Sequence, residues 1–312
     1  MTEPAADPRL VPPPESFPSR ERILAILLLV QACFSSLHVV GKVVLAHLPP
    51  LALAGTRVVI ATPLLVWLAW RHDRVVPRRE DWPRLALLGL LGIFANQILF
   101  LTGLSFTSAT SASVMMPSIP VFTAGVAALF GIERVAGRRL AGIALAALGA
   151  LVLIDPARLD TSSRAAVGNL LVLSNCLAYA LFLVLQRPLL QRLPWRTLIA
   201  WSFLFGSLAT LAATGPTLAR TEWSALPAHA LAGIVWIGLV PTAFAFALNT
   251  WAVRRTSPAV AAAFTTLQPV LTALAAALTL GERPSFNQLA GFALIVAGLA
   301  LVAAARRRRA LP

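Results

Sequence analysis

The chain is 312 residues long, 58% apolar and only 12% charged, with a mean hydropathy of +0.79 and a net charge of +14. A soluble domain carries roughly 25% charged residues, so this composition excludes a water-facing globule and predicts an integral membrane protein. The positive charge does not form a nucleic-acid-binding face, because the arginines sit in short clusters between apolar runs, where membrane topology signals lie.

Residues 1–21 hold six prolines and mixed charges and are expected to form a disordered tail. A bilayer crossing needs roughly 20 apolar residues, and the chain offers ten candidate spans: 23–46, 51–70, 84–104, 107–130, 138–154, 165–187, 195–214, 229–252, 257–280 and 285–305. The first run is long enough to span, so it reads as a helix and not as a cleaved leader. It carries His38 and Lys42, four residues apart and therefore on one helix face. The second carries Arg57, the third Asn96 and Gln97, and the fourth Pro117 and Pro120. The fifth is short and ends before Asp155-Pro156. The sixth holds Asn175 and Tyr179, the eighth Trp236 and Thr242, and the ninth Thr265, Gln268 and Pro269. A basic tail, 306–312, closes the chain. Cys33 and Cys176 lie in apolar runs with no metal-ligand spacing, so they read as small buried hydrophobes, with no metal or cofactor expected.

Charge sets the expected orientation. With the N-terminus cytoplasmic, twenty of the 26 Lys and Arg fall in cytoplasmic tails and loops, four fall outside, and Lys42 and Arg57 lie within spans. The positive-inside rule then places both termini in the cytoplasm.

The chain also repeats itself. An offset of 149 aligns 107–149 with 256–298 without a gap, with 18 of the 43 positions identical. Pro120 falls on Pro269, Glu133-Arg134 on Glu282-Arg283, Gly142 on Gly291 and Gly149 on Gly298. Arg138-Arg139 falls on Asn287-Gln288, and Ser105-Phe106 on Arg254-Arg255, so arginine appears in each pair only where that copy is expected to meet the cytoplasm. The expected fold is all-α, with ten transmembrane helices as two inverted five-helix repeats, 22–154 and 165–305, joined by an outer linker at 155–164. Inverted repeats of this kind are typical of secondary transporters, whose sites lie near the midplane between the halves.

The stretch 238–302, with Pro269, the Gly281-Glu282-Arg283 turn and the Gly291 to Gly298 final helix, resembles the closing half of the EamA family in the drug/metabolite transporter superfamily. Pro120, Glu133-Arg134 and Gly142 to Gly149 repeat the likeness in the first half, where Ile132 stands in place of the turn glycine. Lys42, Pro49-Pro50 and Arg57 also fit its opening helices. The resemblance covers 23–305. It implies ten helices with cytoplasmic termini in a bacterial inner membrane and export or exchange of small metabolites. It also implies a central cavity lined by spans 1, 3, 4, 6, 8 and 9, with 5 and 10 packed behind.

On that basis His38, Asn96, Gln97, Asn175, Tyr179, Trp236, Thr242, Thr265 and Gln268 are candidates for the cavity wall. Each has the alternative that it bonds a neighbouring helix, since hydrocarbon offers buried polar groups no partners. Lys42 or Arg57 would attract a substrate carboxylate; alternatively Lys42 snorkels to the interface. Pro117, Pro120 and Pro269 read as gating hinges or as static kinks. Gly142, Gly149, Gly291 and Gly298 read as close-packing points. All twelve acids lie outside the spans, leaving His38 as the midspan group that titrates near neutral pH, so gradient-driven transport is expected over a carboxylate proton relay.

The leading expectation is an exporter of small polar metabolites, amino acids foremost, working by alternating access in the bilayer, with the oligomeric state left open and a monomer sufficient for transport. A nucleotide-sugar or drug transporter of the same fold is the alternative. A membrane enzyme needs a convergent acid–base or metal set that the spans do not offer, and a sensory or structural protein needs an output domain that has no room between the runs.

Overall fold

The computed structural model describes residues 19–132, 137–153, 163–280 and 286–304, and within them every regular element is helical. Ser19 caps α1 (Arg20–Leu45), its Oγ accepting from the Arg22 backbone N–H at 3.3 Å. Proline at the first turn opens α2 (Pro50–His72). Then come α3 (Arg79–Phe106) and α4, which runs as Ala109–Met115 and Ser118–Leu129 around a break at Met116-Pro117. Next are α5 (Gly137–Leu153), α6 (Ser163–Leu190), α7 (Trp195–Ala219) and α8 (Ala228–Arg255). In α9, Pro258–Ala263 passes through a 3-10 turn, Phe264–Leu267, into Gln268–Leu280, and α10 is Phe286–Ala304.

Among the described residues eight helices are long and apolar enough to cross a membrane: α1 to α4 and α6 to α9. The apolar stretch of α5, Leu140–Gly149, is shorter. The turns at Glu133-Arg134 and Glu282-Arg283, most of the 155–164 linker, residues 1–18 and the basic C-terminal tail lie outside the described residues, whereas Arg20-Glu21, expected in the disordered tail, form the first turn of α1. Large apolar side chains such as Trp67, Trp70, Leu129, Leu170 and Leu208 remain exposed, as a lipid-facing surface requires. The buried core runs through α1 to α4 and α6 to α9, with Ile143 from α5 and Ile295 from α10.

Several backbone devices occur twice at the 149-residue offset. Ser108 caps α4 by accepting from the Ser111 N–H at 3.0 Å, and Ser257 caps α9 by accepting from the Val260 N–H at 3.3 Å. Each capped helix then breaks at the same register, at Met116-Pro117 and at Phe264–Leu267. Pro120 lacks the N–H that would reach Met116 O. That carbonyl instead accepts from the Ile119 N–H at 3.0 Å and faces Thr265 Oγ1, its own repeat mate, at 3.3 Å.

The helices before them, α3 and α8, both contain π-helical segments, Leu90–Ala95 and Gly238–Phe244. The offset carries 90–95 onto 239–244, so an uncommon distortion recurs at one register. In α8 it is stabilised locally. Pro241 removes the α-helical i+4 donor to Ile237 O, and Thr242 Oγ1 donates to that oxygen at 2.6 Å.

A glycine at each distorted helix lets it press on the opposite half. A Cβ on Gly89 would stand 2.5 Å from Ser202 O and 2.6 Å from Gly206 N in α7. One on Gly238, its repeat mate, would stand 2.8 Å from three carbons of Ile60 in α2. The α5–α10 pair is equally close, since a Cβ on Gly149 would lie 2.7 Å from Gly291 O. Gly142 and Gly298, the mates of Gly291 and Gly149, are also buried.

Polar contacts lace the halves together at one end. Asp73, just beyond α2, accepts from Arg196 Nη1 at 3.0 Å and from the Thr197 N–H and Oγ1 at 3.1 and 3.0 Å. A carboxylate of the first half thus caps the N-terminus of α7 in the second. Beside it Arg192 pairs across the halves with buried Asp81 at 3.2 Å, and within the second half Arg187 donates to Val253 O and Arg254 O at 2.9 and 2.8 Å.

Candidate functional site

A narrow cavity lies between the halves, lined from α1 by Phe34, Leu37 and His38, from α2 by Arg57 and from α3 by Asn96 and Phe100. Met116 and Ile119 of α4, Asn175 and Tyr179 of α6, Phe246 of α8 and Gln268 of α9 complete the wall. Six of the residues singled out from the sequence therefore meet here: His38, Arg57, Asn96, Asn175, Tyr179 and Gln268. The free volume is about 50 Å³, room for one or two waters at ~30 Å³ each. A metabolite requires the walls to part.

Arg57 dominates the electrostatics. It sits about two turns into α2 and is only 2% exposed. Its Nε donates to Thr242 Oγ1 at 2.9 Å, and that hydroxyl passes its own hydrogen to Ile237 O. The guanidinium is thereby anchored on the π segment of α8, across the repeat boundary. Among the described residues neither Nη1 nor Nη2 has a protein partner, and no acidic side chain pairs with Arg57. Arginine keeps its proton in proteins, so a buried positive charge with two unused donor groups borders the cavity.

His38 is 1% exposed and stands edge-on to Phe100, ring centroids 5.2 Å apart. Its Nδ1 lies 3.3 Å from Phe34 O. A carbonyl only accepts, so Nδ1 carries the hydrogen, and Nε2 is left buried without a partner.

Amide pairs tie helices across the wall. Asn96 Nδ2 donates to Asn175 Oδ1 at 2.6 Å, joining α3 to α6 and leaving Asn96 Oδ1 and Asn175 Nδ2 for other partners. Gln268 Nε2 donates to Gln31 Oε1 at 2.8 Å, joining α9 to α1. Asn249 Nδ2 donates to Tyr179 Oη at 2.9 Å and orients that ring. The apolar wall is aromatic: Phe34 meets Phe246 edge-on at 5.5 Å, and Tyr179 lies 6.2 Å from Phe34 and 6.1 Å from Phe246.

The remaining candidates lie elsewhere. Lys42 Nζ donates to Leu104 O at 2.8 Å near the end of α3 and is absent from the cavity wall. Trp236 is 46% exposed, and its Nε1 donates to Ser36 Oγ at 3.0 Å, so it joins α8 to α1 from outside. Gln97 is fully buried with both amide atoms unpartnered, outside the wall. Thr242 supports Arg57, and Thr265 hydrogen bonds within α9 and faces Met116 O. Of the prolines, Pro117 sits at the break in α4, while Pro120 and Pro269 lie just beyond the two breaks. Gln31 and Asn249 were missed, although their polarity inside apolar runs was a usable signal.

A larger cavity of about 550 Å³ opens where α1 meets α2 and α7 meets α8, lined by His47, Pro49, Thr217, Arg220 and Glu222 among others. It shares no residue with the buried polar set. The buried charge marks the narrower site.

Comparison with known proteins agrees with this architecture. The family model described as the EamA-like transporter family matches residues 22–155 and again 166–304. A protein of Salmonella typhimurium named a probable amino-acid metabolite efflux pump is 30% identical over 285 residues, 88% of this chain and 92% of its own length. A probable terminal-alkyne amino-acid exporter of Streptantibioticus cattleyicolor is 31% identical over 229 residues, 72% of this chain and 74% of its own. Protein WALLS ARE THIN 1 of Arabidopsis thaliana is 29% identical across 91% of this chain and 83% of its own. A solved crystal structure shares the fold with a TM-score of 0.74 at 20% identity, covering 94% of this chain and all of that one. With two matches that together span nearly the whole chain, this multi-pass membrane protein belongs to the EamA-like transporter family of the drug/metabolite transporter superfamily.

Proposed function

We propose that the protein carries small carboxylate-bearing metabolites, with amino acids the first class to test, out of a bacterial cell across the inner membrane. The observation that carries this reading is Arg57: a charge buried at the cavity wall, without an acidic partner among the described residues, and with two nitrogens unused. An isolated charge inside a membrane protein is costly unless paired, and a carboxylate matches the guanidinium fork in charge and shape. Two relatives are named as amino-acid exporters, which supports the substrate class. The charge disfavours a carrier of cationic or uncharged drugs.

Transport proceeds by alternating access between two inverted five-helix halves, ten spans in all, with both termini cytoplasmic and a monomer sufficient. The distribution of arginines and the doubling of backbone devices support that arrangement. On this topology the Asp73–Arg196 end faces the cytoplasm and the His47 mouth faces out. The cavity wall contains no carboxylate among the described residues, which supports flux along the substrate gradient without a carboxylate proton relay.

Counterflow with labelled amino acids and other carboxylates on the purified, reconstituted protein tests the reading. Accelerated uptake of at least one carboxylate into preloaded vesicles is the expected result. Uptake confined to cationic or uncharged solutes would refute it. A proton gradient that alone drives uphill accumulation would refute the gradient-driven part.

A further inference from the structure

The cavity carries a charge preference more specific than carboxylate binding. Among the described residues its wall has one fixed cation, Arg57, and no anion. A zwitterionic amino acid seated here would leave one net positive charge buried, an amine would leave two, and a monoanion would leave none. In a low-dielectric site an uncompensated charge weighs heavily.

The neutral groups of the wall add no compensating charge. His38 Nε2 is a buried acceptor without a partner, and Asn96 Oδ1 is a second acceptor left over from the Asn175 pair. Both accept from any O–H or N–H donor, and neither supplies the negative charge that would offset an ammonium. The rings of Phe34, Phe100, Tyr179 and Phe246 form a wall for an apolar, planar body.

We infer that the site selects net-anionic organic acids, with one carboxylate for Arg57, an apolar or aromatic body for the ring wall and a hydroxyl or neutral N–H donor for His38 Nε2, over the zwitterionic amino acids of the same shape. This rests on the transport reading above and narrows its substrate class.

Three probes of nearly equal shape separate the cases: 3-phenyllactate, an anion with a hydroxyl; phenylalanine, a zwitterion; and phenethylamine, a cation. Each is scored as a competitor in counterflow and as a ligand in a thermal-shift titration of the purified full chain at neutral pH. Phenyllactate is expected to bind at least tenfold more tightly than phenylalanine, with phenethylamine weakest. Arg57→Gln is expected to shrink the preference for the anion to less than threefold. Equal or tighter binding of phenylalanine would overturn the inference while leaving the transport reading intact. Binding of phenethylamine alone, or of none of the three alongside no counterflow of any carboxylate, would overturn both. A full anion preference retained in Arg57→Gln would also overturn the inference. If Arg57→Gln does not fold, the wild-type ranking of the three probes decides alone.

Discussion

The two halves of the molecule share their backbone devices and differ in their chemistry. The capping serines 108 and 257, the helix breaks at 116–117 and 264–267, the π segments in α3 and α8, and the packing glycines 89 and 238 all correspond at the 149-residue offset. Cavity side chains at that same offset do not. Asn96 corresponds to Ala245, Phe100 to Asn249, Ile119 to Gln268 and Met116 to Thr265. On the proposed alternating-access reading, rocking one half against the other would require equivalent mechanics on both sides, whereas one asymmetric solute would be met by one asymmetric set of ligands. Duplication supplied the frame, and on the same reading divergence between the copies supplied the candidate site.

The most damaging test of the shared frame is at the glycines. Gly89→Leu and Gly238→Leu each push a side chain into an opposing helix, an overpacking cost of ~1–3 kcal/mol or more. Both variants are expected to lose thermal stability by similar amounts, read by the melting temperature in detergent. A large loss in one and none in the other would break the equivalence. The prolines sharpen it further. Pro120→Ala and Pro269→Ala restore a donor beyond each break, and each is expected to slow exchange about tenfold, ~1.4 kcal/mol in the barrier, with the melting temperature retained. Full activity in both would make these bends static. The smallest effect probes the divergent layer. Asn249→Ala removes the hydrogen bond to Tyr179, worth ~0.6 kcal/mol for a typical interhelical bond, and should lower the melting temperature slightly while loosening the ring wall.

Much of this was legible in the sequence. The eight long membrane-spanning helices emerged from apolar run length, and helix ends lie within a few residues of those expected in most cases. Arg57 stood out because a charge in a long apolar run is rare. Rotation about the helix axis was not legible. Asn96 and Gln97 are adjacent and equally polar, yet only Asn96 lines the cavity. The π segment just before them adds a residue to the turn and rotates the rest of α3 by roughly 100°, a shift that no hydropathy pattern announces. Trp236, in the α-helical run directly before the other π segment, likewise faces outward. Lys42 shares a face with His38, but its long stem carries the ammonium to Leu104 O, away from the site. Gln31 and Asn249 were readable as polar residues at depth, and their partners were not, because those pairings depend on contacts across the repeat boundary or between helices distant in the chain.

The role of Arg57 is open to one direct measurement. Labelled-carboxylate counterflow is run side by side for the wild type and Arg57→Gln, reconstituted at equal amounts of folded protein with matched melting temperatures. Exchange by the wild type and its loss, by tenfold or more, in the variant is the expected outcome. Equal exchange by the two proteins would show that the buried guanidinium is a strut between α2 and α8 and not the ligand.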